Sequence, residues 1–398
     1  MKKYLISALL LCATPILSAQ DFVRGADLSW ATEMEADGQS FYNSDGRAVE
    51  PFELMKSIGM NAVRLRVWDN PTAFGYGAWC DKADVIAKAK RAKAQGLDIM
   101  IDFHYSDFFA DPGRQSVPVD WADYSREQVL AAVADHTVDV LSALKDEGIE
   151  PRWVQVGNET NSGLCWDFGK IDWSLAGAER FADYAELSNA GYDAVKSVFP
   201  EAQVIVHLAG ADAPQWFFGD FIAAGGKVDI IGISHYPTEE QWNSTSTDAT
   251  YSNVYAEAQV KQLIAAFNRP VMICETGFSV HNPDLGYEVM TDLFARLTPI
   301  DRCLGIFYWE PLSDGQWRPA YYESLGWNAY DKGAFTTTGQ PAKTLDAFAD
   351  PAGGISPTLA DPTAAPTYID LLGRPVPTPQ PGNIYILLQP ASRHLIRY

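Results

Sequence analysis

Two glutamates stand out for where they fall. Glu159 lies in Gly157-Asn158-Glu159-Thr160-Asn161 and Glu275 in Glu275-Thr276-Gly277, each directly after a short apolar run. Breaking a glycosidic bond takes two carboxyls flanking it, one carrying a proton and one charged. A lone glutamate is more often a salt-bridged structural acid; two at the ends of apolar runs fit general acid and nucleophile better. Polar and aromatic residues end other such runs: Asp102-Phe103-His104-Tyr105-Ser106-Asp107, Ser234-His235-Tyr236-Pro237 and Tyr308-Trp309-Glu310-Pro311. A guanidinium within reach would hold the nucleophile ionised. Arg64 and Arg66 share strand parity; Arg64 either shares the mouth or lies deeper as a structural partner, and Arg66 is preferred because it is nearer the strand end. Tyr236 is read as a hydroxyl donor to Glu275, with packing as its alternative. Trp309 would floor the subsite where the bond breaks. Asn158 would bond a sugar 2-hydroxyl. His104, Asp107, His235, Trp121, Trp166 and Trp317 are candidate cleft residues that loop packing would explain equally well.

Something must hold these side chains on one face. Short apolar runs recur at Phe22–Ser29, Asn61–Val67, Asp98–Phe103, Trp153–Val156, Gln203–Leu208, Val228–Ile233, Val271–Cys274 and Leu304–Tyr308. Between them, apolar residues three and four apart predict helices over Asp84–Ala94, Arg126–Glu147, Ala178–Phe199, Tyr255–Phe267 and Gly286–Leu297. Connections that long imply parallel strands. Eight such units predict an α/β fold, a closed (β/α)8 TIM barrel with its active site at the strands' carboxyl ends. The rival is an open doubly wound sheet, but no glycine-rich phosphate fingerprint follows the first strand.

The ends read differently. Met1-Lys2-Lys3, an apolar run to Leu17 and Ser18-Ala19 predict a signal peptide over residues 1–19, cleaved after Ala19. The barrel domain would then be 20–350. Residues 351–398 form a short C-terminal extension: a Pro/Gly-rich segment, then a β-hairpin from Tyr368–Leu372 and Ile384–Leu388. No later run is long enough to span a bilayer. The net charge of −21 argues against nucleic acid and anionic membranes as partners. Twelve tryptophans and eighteen tyrosines suit a sugar-binding cleft. Of the cysteines beyond the leader, Cys274 and Cys303 fall in strand-like runs and read as core. Cys80 and Cys165 fall in loops and are candidates for a bridge that sequence cannot fix. No Cys/His spacing suggests zinc.

Several motifs together carry a family resemblance: Gly25-Ala26-Asp27-Leu28-Ser29, Arg64-Leu65-Arg66-Val67-Trp68, the run from Asp102 to Gln115, Gln155-Val156-Gly157-Asn158-Glu159 and Glu275-Thr276-Gly277. Through them the chain resembles glycoside hydrolase family 53, the endo-β-1,4-galactanases. The resemblance covers nearly all of residues 22–350. It implies cleavage of β-1,4-galactan with retained configuration, Glu159 as acid/base and Glu275 as nucleophile. The expected protein is a secreted monomer, external or periplasmic, acting inside the galactan chains of pectin. The alternatives are a retaining endo-glycanase on mannan or glucan, and a non-catalytic glycan-binding protein. Some bacterial members carry a long acidic, calcium-holding loop after the seventh strand. Here that stretch, Phe278-Ser279-Val280-His281-Asn282-Pro283-Asp284, is short and poor in carboxylates, whereas a calcium cage needs six or more oxygens. No cofactor is therefore expected.

Overall fold

Eight short parallel strands close on themselves in the computed structural model, which describes residues 22–349 apart from Tyr76 and 211–214, and the backbone of four strands beyond residue 366. The strands are β1 (Val23–Asp27), β2 (Ala62–Val67), β3 (Asp98–Phe103), β4 (Trp153–Val156), β5 (Gln203–Leu208), β6 (Ile230–Ser234), β7 (Val271–Thr276) and β8 (Cys303–Tyr308). Each pairs with its sequence neighbour, and β1 also pairs with β8, which closes the ring. Helices follow seven of them: α1 (Pro51–Ile58), α2 (Lys82–Ala94), α3 (Arg126–Asp146), α4 (Ala182–Val198), α5 (Gln215–Ala223), α6 (Asn253–Phe267) and α7 (Pro283–Leu297). After β8 come a five-residue helix, Ala320–Ser324, and a 3-10 turn, Lys343–Phe348, which takes the eighth place. This is a (β/α)8 barrel. The eight apolar runs are legible because each strand is buried on both sides, so the runs read as continuous rather than alternating.

Helix α3 begins at Arg126 as expected and α4 at Ala182, after a 3-10 turn over Gly177–Phe181, while α2, α6 and α7 begin two or three residues before the periodic apolar pattern does. Their first turns are polar, fixed by caps: Asp81 accepts from the Asp84 N–H, Ser252 from the Tyr255 N–H, and Pro283 opens α7. The longest helix, α3, carries a full capping box between Ser125 and Gln128. Its buried stripe, Val129, Val133, Val140, Leu141 and Leu144, keeps helical spacing.

Strand parity sorts the barrel's interior into floors. Val23, Ala62, Met100, Trp153, Ile205, Ile230, Met272, Cys274 and Phe307, drawn from all eight strands, form one buried apolar cluster. Two residues further along five of those strands, the same inward parity gives Gly25, Arg64, Asp102, Gln155 and His207. A polar layer therefore rests on an apolar floor, and the chemistry rests on that layer. In β7 the register slips by one residue, with Ile233 opposite Ile273 but Ser234 opposite Glu275. This bulge lets consecutive residues face inward, Cys274 into the floor and Glu275 into the site.

The four described cysteines are free and buried, so the candidate Cys80–Cys165 bridge does not exist. Their surroundings are separate. Cys80 Sγ lies 3.6 Å from the Arg66 guanidinium and 3.7 Å from the Lys88 ammonium, whereas Cys165 Sγ faces the Tyr105 carbonyl. Residues 350–398 form a second compact unit. Its strands, Thr367–Ile369, Pro375–Val376, Ile384–Gln389 and Ser392–Arg397, make a four-stranded antiparallel sheet, in which the expected pairing of the Tyr368 and Ile384 runs is extended by one further strand on each side. The last strand contains Arg393, His394 and Arg397, so no apolar run announces it. The expected leader, residues 1–19, and most of the Pro/Gly-rich segment lie outside the described residues.

Candidate active site

Arg64 is the centre of the polar layer. It is 1% exposed and meets Asp27 (2.6 Å), Asp102 (2.8 Å), Glu275 (2.9 Å) and the Asn158 side-chain oxygen (2.8 Å). The role expected of Arg66 thus falls to Arg64. Arginine is long enough that the deeper position reaches the Glu275 carboxylate. Arg66, one inward position higher, turns to Glu310 at 3.2 Å and lies over the rings of Phe109 and Trp68. It still lines the cavity, as an aromatic-packed cation rather than the partner of Glu275.

The two glutamates are held by different means. Glu275 takes Arg64 on one oxygen and the Tyr236 hydroxyl, at 2.8 Å, on the other. Burial raises its pKa, and Arg64 and then Tyr236 pull it back. Glu159 has a left-handed backbone (φ 47°) after Gly157 (φ 83°), a turn that aims it back across the mouth. Its carboxyl accepts one bond, from Ser234 Oγ at 2.7 Å. Burial and the nearby Glu275 charge push its pKa up to about 8. One carboxyl is thus kept protonated near neutral pH while the other keeps a cation. That is the division of labour acid/base and nucleophile require.

Two buried histidines brace the pair. His207 Nε2 lies 2.9 Å from Ser234 Oγ, and its Nδ1 lies 3.0 Å from both the Asn158 and Gln155 side chains. Burial holds its pKa well below the usual value, so the ring is neutral. His104 Nδ1 accepts the Ala110 N–H at 2.9 Å, which leaves its Nε2–H for Asp102 at 3.0 Å. Glu159, Glu275 and His207 bring atoms capable of binding a metal within 4.8 Å of one another. Both His207 nitrogens are already engaged, so the cluster reads as a carboxylate pair rather than a metal centre.

A cavity of about 250 Å³ opens above the pair. Of the residues named from sequence, it gathers Glu159, Glu275, Asn158, Arg66, His104, Tyr236 and Trp309. Five others do not line it. The Asp107 carboxylate clasps its own loop, accepting the Asn70 and Val119 N–H groups. His235 packs behind β6 on Asn253. Trp121 lies beside His136 over α3, Trp166 donates to the Ser162 carbonyl, and Trp317 donates to Asp37. Sequence reading missed Phe109, Asp111, Trp327 and Lys332, all in loops. Phe109 and Trp327 stack at 3.8 Å and, with Trp309 beside Trp327, wall one side of the cavity. His207 was also missed, although its inward position on the fifth apolar run was a usable signal.

A closed parallel barrel with two glutamates facing each other from the ends of its fourth and seventh strands has the layout of a barrel glycoside hydrolase. The sequence profile of glycosyl hydrolase family 53 matches residues 23–348. An arabinogalactan endo-β-1,4-galactanase of Cellvibrio japonicus is 33% identical over 343 residues, covering 78% of this chain and 87% of its own. An endo-β-1,4-galactanase of Bacillus subtilis is 30% identical, covering 73% and 70%. Among solved structures, a family 53 catalytic domain from Ignisphaera aggregans superposes with a TM-score of 0.69 at 30% identity, over 82% of this chain and 95% of that one. A fungal β-1,4-galactanase gives 0.67 at 27% identity, over 82% and 98%. The chain belongs to glycoside hydrolase family 53, and it is a glycoside hydrolase.

Proposed function

We propose that the protein is a secreted, retaining endo-β-1,4-galactanase acting on the galactan chains of pectin. Glu275 attacks the anomeric carbon while Glu159 passes its proton to the departing oxygen, and the C–O bond breaks. Glu159 then takes a proton from water, whose oxygen displaces Glu275 with net retention. Neither step needs a cofactor. The observation that carries the mechanism is the closeness of the two carboxyls: their nearest oxygens lie within 4.8 Å. Retaining enzymes hold the pair about 5–5.5 Å apart, and inverting ones leave room for a water. The names of the relatives support the substrate. No helix among the described residues is long and apolar enough to cross a membrane.

The test is hydrolysis of unbranched β-1,4-galactan followed by proton NMR and viscometry. The first-formed sugar should be the β anomer, and viscosity should drop well before reducing ends accumulate. Initial α product would refute retention. Faster cutting of mannan or glucan would refute the substrate, and release of galactose alone from chain ends would refute the endo mode.

A further inference from the structure

Of the seven large apolar side chains left exposed among the described residues, Val119, Tyr124, Ile222 and Tyr251 are scattered, while three stand in two adjacent segments. Trp173 (51% exposed), Leu175 (44%) and Trp216 (46%) fall in the connection after β4 and the first turn of α5. Both segments lie on the face where the strands end, on the side of Glu159. Trp173 and Trp216 meet with ring centres 5.8 Å apart at 69°, and the Arg180 guanidinium lies 5.4 Å over Trp173. The platform is built rather than loose. The Asp172 N–H donates to the Arg180 carbonyl, and the Asp172 carboxylate accepts from Ser174 through both its N–H and its hydroxyl. Beneath, Trp216 rests on Phe181 and Phe217, and Phe181 leads to Tyr184, whose hydroxyl meets Thr160 at 2.7 Å. Thr160 adjoins Glu159. The rings are thus tied through packed side chains to the acid's own turn, and neither lines the central cavity.

The cavity itself is lopsided. Its aromatic lining, Phe109, Tyr236, Trp309 and Trp327, comes from the connections after β3, β6 and β8, with none from those after β4 and β5. Glu159 protonates the departing oxygen, so the leaving arm of the chain runs out past Glu159. A sugar presents an apolar C–H face and hydroxylated edges, and an indole face beside a guanidinium matches both. Exposed apolar patches mark binding surfaces, and this one lies on the strand-end face, on the side from which no aromatic ring lines the cavity. We propose that Trp173 and Trp216 form a remote binding platform for the leaving-side arm of a polysaccharide substrate. This rests on the galactanase reading and extends it: the platform makes the enzyme favour long chains.

Trp173→Ala, Trp216→Ala and the double variant test it, on two substrates. One is unbranched β-1,4-galactan; the other is an aryl β-1,4-galactobioside, whose phenol leaves the outer leaving-side positions empty. Each substitution should lower kcat/KM on the polymer by about two- to tenfold, the range for one aromatic contact, while turnover of the aryl glycoside is unchanged. Migration of the intact protein in native gels cast with galactan should be less retarded for the double variant. Unaltered polymer turnover and retardation would overturn the proposal. So would equal losses on both substrates, which would place the effect at the centre or in folding. Failure of the wild-type protein to cut galactan would instead strike the galactanase reading, before any variant is compared.

Discussion

Arg64 satisfies three buried carboxylates with one planar fork: Asp27, Asp102 and Glu275. Lysine would keep the charge and lose that geometry. Arg64→Lys should therefore lower kcat/KM about a hundredfold or more, the scale of losing one preorganised charge partner. Because Arg64 lowers the Glu275 pKa, the acid limb of the pH–rate profile should also move to higher pH. Arg66→Lys should leave that limb where it is, since its ion pair is with Glu310. A moved limb in Arg66→Lys and a fixed one in Arg64→Lys would reverse the assignment. The alkaline limb belongs to Glu159, which must be protonated for the first step, so activity should fall as pH rises through about 8. The Ser234 hydroxyl donates to its ionised form and lowers that value. In Ser234→Ala the alkaline limb should shift upward; a downward shift would mean that Ser234 serves some other group. The glutamate pair was legible because strand ends are where barrels do chemistry. Choosing between Arg64 and Arg66 was not, because parity sets a side chain's direction and says nothing of how far it climbs.

Among elements, the β1 and β8 pair shows how little slack the apolar floor has. A Cβ on Gly25 would lie 2.1 Å from the ring of Phe307, and that ring packs edge-on against Trp153 at 6.1 Å. Gly25→Ala should therefore cost about 1–3 kcal/mol through overpacking, read as a lower urea midpoint with unchanged slope. An unaltered midpoint would show that Phe307 can swing aside. The eight strands and five of the helices were readable from periodicity, since burial imposes a period on the sequence. The β7 bulge was not, because a one-residue slip leaves Ile273-Cys274-Glu275 looking like an ordinary strand. The loops had no period to read, which is why Trp327, Phe109 and Lys332 went unseen while Trp121, Trp166 and Trp317 attracted notice by type alone. In each of those three the ring or its N–H is taken up by a neighbouring loop or helix.

At the scale of the whole molecule, the described barrel holds together without a disulfide. Its four described thiols are sealed inside, and burial raises the pKa of each, Cys80 to about 11 and Cys303 to about 12. Thiolate, the form that reacts, is therefore scarce at ordinary pH. For the exported enzyme proposed above, the four described thiols offer an external oxidant little to react with. The thermal midpoint should be the same with and without dithiothreitol, and an aromatic disulfide reagent should label the four thiols only once the chain unfolds. A midpoint that falls on reduction would reveal a cross-link. Rapid labelling of the folded protein would reveal a barrel that breathes far more than its packing implies.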